Sequence, residues 1–243
     1  VRRVLPIISS LLSCGPLLIG GCVTNGGGTG PSAAPAGLHA VVQVDPIPNA
    51  VWRGIASDTD RSAIDDLSGR WENALSVATR RFAARVRGEG PLVEPEAGQP
   101  LPALPPGPYL CRLVRLGGKI GYATYKPDNC YVDGDAERQS FTKQNGSSLP
   151  GGWLYTDDQQ SRIVFLGTNR FRRDDAAPAY GDLPGREMAG IVERVSPFRW
   201  RLVLARPLSR DAAVELYELV PVPPQPVEAP APVTERRSRS KLG

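Results

Sequence analysis

Side chains able to do chemistry are few in this 243-residue chain, and what is missing narrows the field first. The single histidine, His39, lies in a Gly, Ala, Pro and Ser-rich stretch without strand or helix periodicity. Histidine-based triads and histidine-containing metal sites are therefore excluded from the folded part. No serine sits in a Gly-x-Ser-x-Gly elbow. Carboxylate chemistry of the kind that cleaves glycosides remains, with Asp133/Asp135, Asp157/Asp158 and Asp174/Asp175 as the candidate pairs. Each pair falls in a polar, turn-like stretch, where neighbouring aspartates are ordinarily solvated turn groups. Asp128 to Glu137 lacks the ligand alternation and the glycine of a calcium loop. No residue is assigned a catalytic role, no metal site is expected, and no cofactor is implied.

The four cysteines sort by position. Arg2 and Arg3, an interrupted apolar stretch from Val4 to Ile19, and Ile19-Gly20-Gly21-Cys22 form a bacterial signal pattern resembling a lipobox. Cleavage before Cys22 would remove residues 1–21 with Cys14 and leave Cys22 as the lipidation site; an ordinary secretory signal is the alternative. A membrane-spanning anchor is disfavoured because about 20 clean apolar residues are needed, and Pro6, Ser9, Ser10, Ser13 and Pro16 interrupt this run. Cys111 and Cys130 remain. In an oxidising compartment they are expected to form one disulfide, closing a loop of about 20 residues for roughly 3 kcal/mol. A metal site is the weaker reading, since there is no third thiol.

The net charge of +4 is peripheral. Setting aside Arg2, Arg3 and the tail residues Arg236, Arg237, Arg239 and Lys241 from the 29 basic groups, and Glu228 and Glu235 from the 25 acidic ones, leaves 23 of each. A nucleic-acid footprint is thus absent from the domain. The basic tail reads as a solvated end, or else as a weak contact for a polyanion or membrane surface.

These residues need elements to hold them. Residues 22–45 form a flexible tether; their glycines precede no Lys-Ser/Thr pair and are no phosphate loop. One globular domain is expected over 46–221. After a short helix near Asn49–Ala56, Ile64, Leu67, Trp71, Leu75, Ala78 and Phe82 recur at spacings of three and four, which predicts a helix over 60–87 capped by Asp58 or Asp60. Its late arginines, Arg80, Arg81, Arg85 and Arg87, suit a helix C-terminus better than a binding patch. Residues 91–108 hold seven prolines and form an extended connector.

From 109 to 220, nine short β-candidates alternate with turn residues: Tyr109–Leu116, Lys119–Lys126, Asn129–Asp133, Arg138–Gln144, Gly152–Thr156, Arg162–Thr168, Glu187–Val195, Arg199–Ala205 and Val214–Val220. The turns fall at Gly117-Gly118, Pro127-Asp128, Asn145-Gly146, Asp157-Asp158 and Ser196-Pro197. Short connections imply an antiparallel meander, and closing it removes the edges. The fold class is α+β: an N-terminal helix packed on a meander that closes into a small lipocalin-like barrel or half-barrel. Several strands are apolar on both faces, so one face fills the barrel and the Trp71 helix shelters the other. Residues 222–243 form a Pro-rich and basic disordered tail.

The motifs Pro106-Gly107-Pro108-Tyr109-Leu110-Cys111-Arg112, Phe141-Thr142-Lys143, Phe165-Leu166-Gly167-Thr168, Arg186 to Arg194 and Arg199 to Leu204 occur in order. In these the chain resembles a family of uncharacterised alphaproteobacterial envelope proteins carrying a domain of unknown function, often behind a lipoprotein signal. The resemblance spans Trp52 to Pro221, implies a cell-envelope location and carries over no site residues. The Trp-bearing hairpin Gly152–Arg170 beside a disulfide is also similar to periplasmic inhibitors of secreted metalloproteases, which lack the helical half.

The reading that follows is a non-enzymatic envelope lipoprotein, lipid-anchored through Cys22, facing the periplasm from the outer membrane, and acting as a binding or scaffolding module. Trp153, Tyr155 and Trp200 are its candidate ligand-binding aromatics at a barrel mouth, with Arg112 or Arg201 orienting a small amphipathic or anionic ligand; otherwise the aromatics simply fill a small barrel. An unknown envelope protein met through surface and tail, an inhibitor-like barrel, and a carboxylate hydrolase of envelope polymers are the alternatives. No nucleic-acid partner is expected.

Overall fold

The computed structural model describes residues 51–135, 137–172 and 176–223. The expected signal peptide, Cys22, the tether with His39, most of the tail, and Asp174 and Asp175 lie outside the described residues.

Three helices open the domain: α1 Trp52–Ile55, α2 Asp58–Asp65 and α3 Leu67–Glu89. The helix expected over 60–87 is thus two, divided at Asp66 (φ −87°, ψ 1°). Its cap is Ser57 rather than Asp58 or Asp60: the Ser57 hydroxyl accepts the Asp60 N–H at 3.1 Å. Asp60 is instead a buried acceptor for Arg206 Nε at 2.7 Å and for the Tyr180 hydroxyl. Of the predicted stripe, Ile64, Leu67, Trp71 and Ala78 are buried, joined by Ala74, whereas Leu75 and Phe82 are half-buried against the same cluster. Arg80, Arg81, Arg85 and Arg87 lie on the exposed side. Helix α3 bends at Phe82 (φ −132°, ψ 34°), whose ring covers Gly121, and ends at Gly90 in a positive-φ conformation.

The Pro-rich connector makes two single 3-10 turns, Gly90–Leu92 and Pro95–Ala97. It then adds one antiparallel bridge, Gln99 N–H to Arg194 C=O at 2.8 Å. Prolines confine it to such short pieces.

Nine strands follow: β1 Gly107–Gly117, β2 Gly121–Thr124, β3 Asp128–Gly134, β4 Gln139–Lys143, β5 Pro150–Thr156, β6 Arg162–Asn169, β7 Glu187–Ser196, β8 Arg199–Leu204 and β9 Val214–Pro221. All pairings are antiparallel, and β9 returns to β1 from Tyr109↔Pro221 to Leu116↔Val214, which closes the barrel. Both β2 and β3 pair with β1, in registers Val114↔Thr124 and Cys111↔Asp128. Four steps along the β2–β3 segment therefore match three along β1, the signature of a bulge. Tyr125 N–H still bonds Leu113 C=O at 3.1 Å. The turn expected at Pro127-Asp128 is not a turn: Pro127 lacks an N–H and interrupts the ladder, but the chain keeps its direction. Eight strands enclose the barrel, the second made of β2 and β3 in line.

Alternation assigns the two faces. Tyr109, Cys111, Phe141, Phe165, Trp200, Leu202, Leu204, Tyr217 and Leu219 pack together in the lumen. Val114, Leu116, Val164, Leu166, Ile191, Val203 and Leu216 pack outside, with Trp52, Ile64, Leu67 and Trp71 of the helices. Each of these large apolar side chains contributes about 1.5–3 kcal/mol relative to exposure. Gly117 lets α3 come this close, because a Cβ there would stand 2.8 Å from Ala74. The Cys111–Cys130 disulfide forms as expected, inside the barrel, with Cα atoms 5.9 Å apart.

Candidate functional site

The five aromatic and arginine candidates do not converge on one mouth, because strand alternation divides them. Trp153 and Tyr155 flank the inward Leu154 and point outward. Arg138 stacks on the Trp153 ring at 4.0 Å, and Tyr155 packs against the helix-covered cluster. Trp200 is a lumen residue, edge-on to Tyr109 at 6.3 Å, and donates its indole N–H to Pro102 C=O at 3.1 Å. Its role in the barrel is to fill it.

Arg112 and Arg201 also project outward, where the expectation had them facing a ligand, and each is held by protein acceptors. Arg112 forks onto Glu89 (2.9 and 2.6 Å) and bonds Glu218 (2.6 Å) and Thr124 (2.7 Å). Arg199 bonds the other Glu218 oxygen at 2.6 Å, and the Tyr122 hydroxyl donates to Glu89 at 2.6 Å. Burial acts to raise the Glu89 carboxyl, but the Arg112 and Tyr122 hydrogen bonds outweigh it and hold the group below its ordinary value. Tyr122 is pushed up to about 12, by burial and then by Glu89. Arg201 is fully buried and stacks on the Trp71 ring at 4.3 Å. It bonds Glu193 Oε2 and the carbonyls of Pro91, Leu92, Glu94 and Pro95 at 2.6–3.1 Å. It is the anchor that draws the connector onto the barrel.

Of the aspartate pairs, Asp133, Asp135 and Asp157 are engaged within the protein, and Asp174/Asp175 lie outside the described residues. Asp133 and Asp135 serve backbone N–H groups in the β3–β4 turn. Asp157, expected as a solvated turn group, has a fully buried side chain. It accepts the Trp52 indole N–H at 2.9 Å and pairs with Arg162, tying α1 to the β5–β6 turn. Burial would raise its carboxyl, yet these two donors hold it below its ordinary value.

Outside the lumen lie, among others, a cleft near each barrel end, a cleft of about 480 Å³ bordered by Asn169, Arg186, Arg206 and Arg210, and a groove on the seam between helices and barrel. The first end cleft, of about 490 Å³, is bounded by Val51, Pro106, Leu154 and Ile163. The second, of about 320 Å³, holds the Arg115–Glu215 and Lys143–Asp128 pairs. The seam groove, of about 310 Å³, runs between α2 and α3, the connector, the β5–β6 turn and β7; its polar lining includes Asp65, Ser68, Glu96, Ser161, Arg162 and Glu193.

Glu193 gives this groove its character. It follows the outward apolar residues Ala189 and Ile191 on β7, opposite Arg201. Both Arg201 contacts, at 2.7 and 2.8 Å, fall on Oε2. Oε1 has no hydrogen-bond donor among the described residues, and it faces Gly98, where a Cβ would come within 2.9 Å. Burial raises the Glu193 carboxyl; Arg201 opposes the rise and Glu96 reinforces it. Trp71, in the groove floor, has a buried indole N–H without a partner among the described residues. Among the described residues no three His, Cys, Asp or Glu side chains converge to hold a metal ion.

A family profile described as a domain of unknown function, DUF4893, matches residues 52–219, from the first residue of α1 into β9. The chain belongs to the DUF4893 family. Its domain comprises the helices, connector and barrel together, which agrees with the span expected from the motifs. Neither curated proteins nor solved structures yield a match to the chain. The two arginine anchors and the seam groove all fall inside the DUF4893 match.

Sequence reasoning passed over Glu193 and Glu96. The available signal was Glu193 itself, a carboxylate following Ala189 and Ile191 on one strand face, in register with Arg201. Glu96, in an irregular connector, carries no periodic signal at all.

Proposed function

We propose that this DUF4893 protein is a non-enzymatic binding module of the bacterial cell envelope, tethered by a lipid on Cys22, facing the periplasm from the outer membrane, and receiving its ligand in the seam groove. The observation that carries the reading is Glu193, a largely buried carboxylate whose Oε1 opens onto the groove without a protein donor among the described residues and so is available to a ligand. Concave sites with a few convergent polar groups are where ligands bind. The lumen side chains pack against one another, which argues against an internal carrier.

The test is a photo-crosslinking residue at Ser68, an exposed groove position, in the protein expressed in its cell envelope. A specific adduct at Ser68, absent when the same group replaces exposed Leu110 on β1, supports the groove. Equal adducts at both positions, or none at Ser68, would overturn it. Replacement of Cys22 by Ser should abolish metabolic labelling with a fatty acid; persistence of the label would remove the tether.

A further inference from the structure

Two large apolar side chains stand well out of the surface, Leu101 at 76% and Phe198 at 75% exposed, and neither belongs to a packed cluster. They are also the only non-glycine residues with positive φ among the described residues, at 60° and 57°. Phe198 follows Pro197 in the two-residue turn between β7 and β8, a place where positive φ favours Gly or Asn. Backbone strain of this kind collects at functional sites, and neither side chain offsets it by packing inside the fold. Both residues belong to one end of the barrel. Arg194 and Trp200, on the strands either side of that turn, donate to the carbonyls of Pro100 and Pro102 at 2.8 and 3.1 Å, which fixes Leu101 beside the hairpin. Val51, the first described residue, borders the cleft at the same end with Pro106 and Leu154. No charged residue occurs from Ala97 to Cys111 or from Val195 to Phe198.

Resting on the envelope tether proposed above, we propose that this end of the barrel docks on a phospholipid bilayer, with Leu101 and Phe198 inserted at the boundary of headgroups and acyl chains. Apolar side chains bury there readily when no charged neighbour must lose its water with them. On the tether reading, the chain that joins the domain to the lipid on Cys22 enters at Val51, so the anchored end and the end bearing Leu101 and Phe198 are the same. A bilayer needs no complementary pocket, which suits two side chains on separate turns. The β3–β4 hairpin at this end carries Asp133, Asp135 and Glu137 against Arg138, so the contact is apolar and gains nothing from anionic lipid.

The test uses the full acylated chain in phosphatidylcholine vesicles that carry a spin-labelled lipid as quencher. A fluorophore is placed on a cysteine introduced at exposed Ala103, two residues from Leu101, or at exposed Lys119 in the β1–β2 turn of the opposite end. Cys111 and Cys130 are bonded to each other and do not take the label. Quenching at Ala103 well above that at Lys119, unchanged between low and high salt, is expected. Leu101→Gly together with Phe198→Gly should abolish the difference and leave the thermal unfolding midpoint close to unchanged, because glycine adopts positive φ without strain. A chain that floats with the vesicles but is quenched equally at both positions, or more at Lys119, would overturn the docking and spare the tether. A chain that does not float with them would overturn both. Quenching at Ala103 that disappears at high salt, or that survives the double glycine variant, would overturn apolar insertion. An Ala103 label that stays unquenched in pure vesicles, yet is shielded from iodide once envelope proteins are added, would assign this end to a protein partner and overturn the bilayer.

Discussion

At the scale of single residues, the molecule depends on arginines that take up several acceptors at once. Arg201 satisfies Glu193 and four connector carbonyls from a fully buried position. Arg201→Ala should cost about 3–5 kcal/mol in urea unfolding, the range for breaking a buried pair. Removing Glu193 as well should not restore stability, because the carbonyls stay unpaired; a fully recovered double variant would show that the charge pair alone mattered. Asp157→Asn leaves an acceptor for Trp52 but removes the charge facing Arg162, so a loss of about 1–3 kcal/mol is expected. Little of this was legible beforehand. The disulfide was, because only Cys111 and Cys130 remain once the signal region is set aside. The aromatics were half legible: alternation puts Trp153 and Tyr155 on one face but cannot say which, when both faces of a strand are apolar. Asp157 looked like a turn group because its partner, Trp52, lies 105 residues away.

At the scale of elements, helix and barrel are fastened at two seams. The first is the close approach of α3 to the β1–β2 turn. Gly117→Ala would bring a methyl to 2.8 Å of the α3 backbone at Ala74, in a residue with φ 68°, so it should destabilise by more than the roughly 1 kcal/mol of an ordinary helix or strand glycine change. The second seam is the Glu89–Arg112–Glu218–Arg199 network at the end of α3. Glu89 is held below its ordinary 4.5 in the folded state, so its contribution is fully present above that value. It is lost as pH falls through the depressed folded pKa. Glu89→Gln should therefore flatten the acid limb of the stability curve; an unchanged limb would assign acid sensitivity to other groups. Strand positions were readable from turn chemistry to within a few residues. Pro127 misled because the same residue that ends strands in turns also marks bulges within them.

At the scale of the whole molecule, the closed barrel followed from nine short segments and short connections, since closure removes edges that a meander of this size would expose. The groove did not follow, because it is assembled from α2, α3, the connector, the β5–β6 turn and β7, which only the tertiary arrangement brings together. The disulfide staples β1 to β3 within the barrel, and its reduction should lower stability by roughly 3 kcal/mol while leaving the helix seam formed. Hydrogen–deuterium exchange of the full chain, with and without envelope extract, tests the central claim most directly. The account predicts new protection centred on Asp65–Trp71, Glu94–Gln99 and Gln159–Arg162, three of the segments that border the seam groove. Protection at the barrel ends with these three segments unchanged would contradict it.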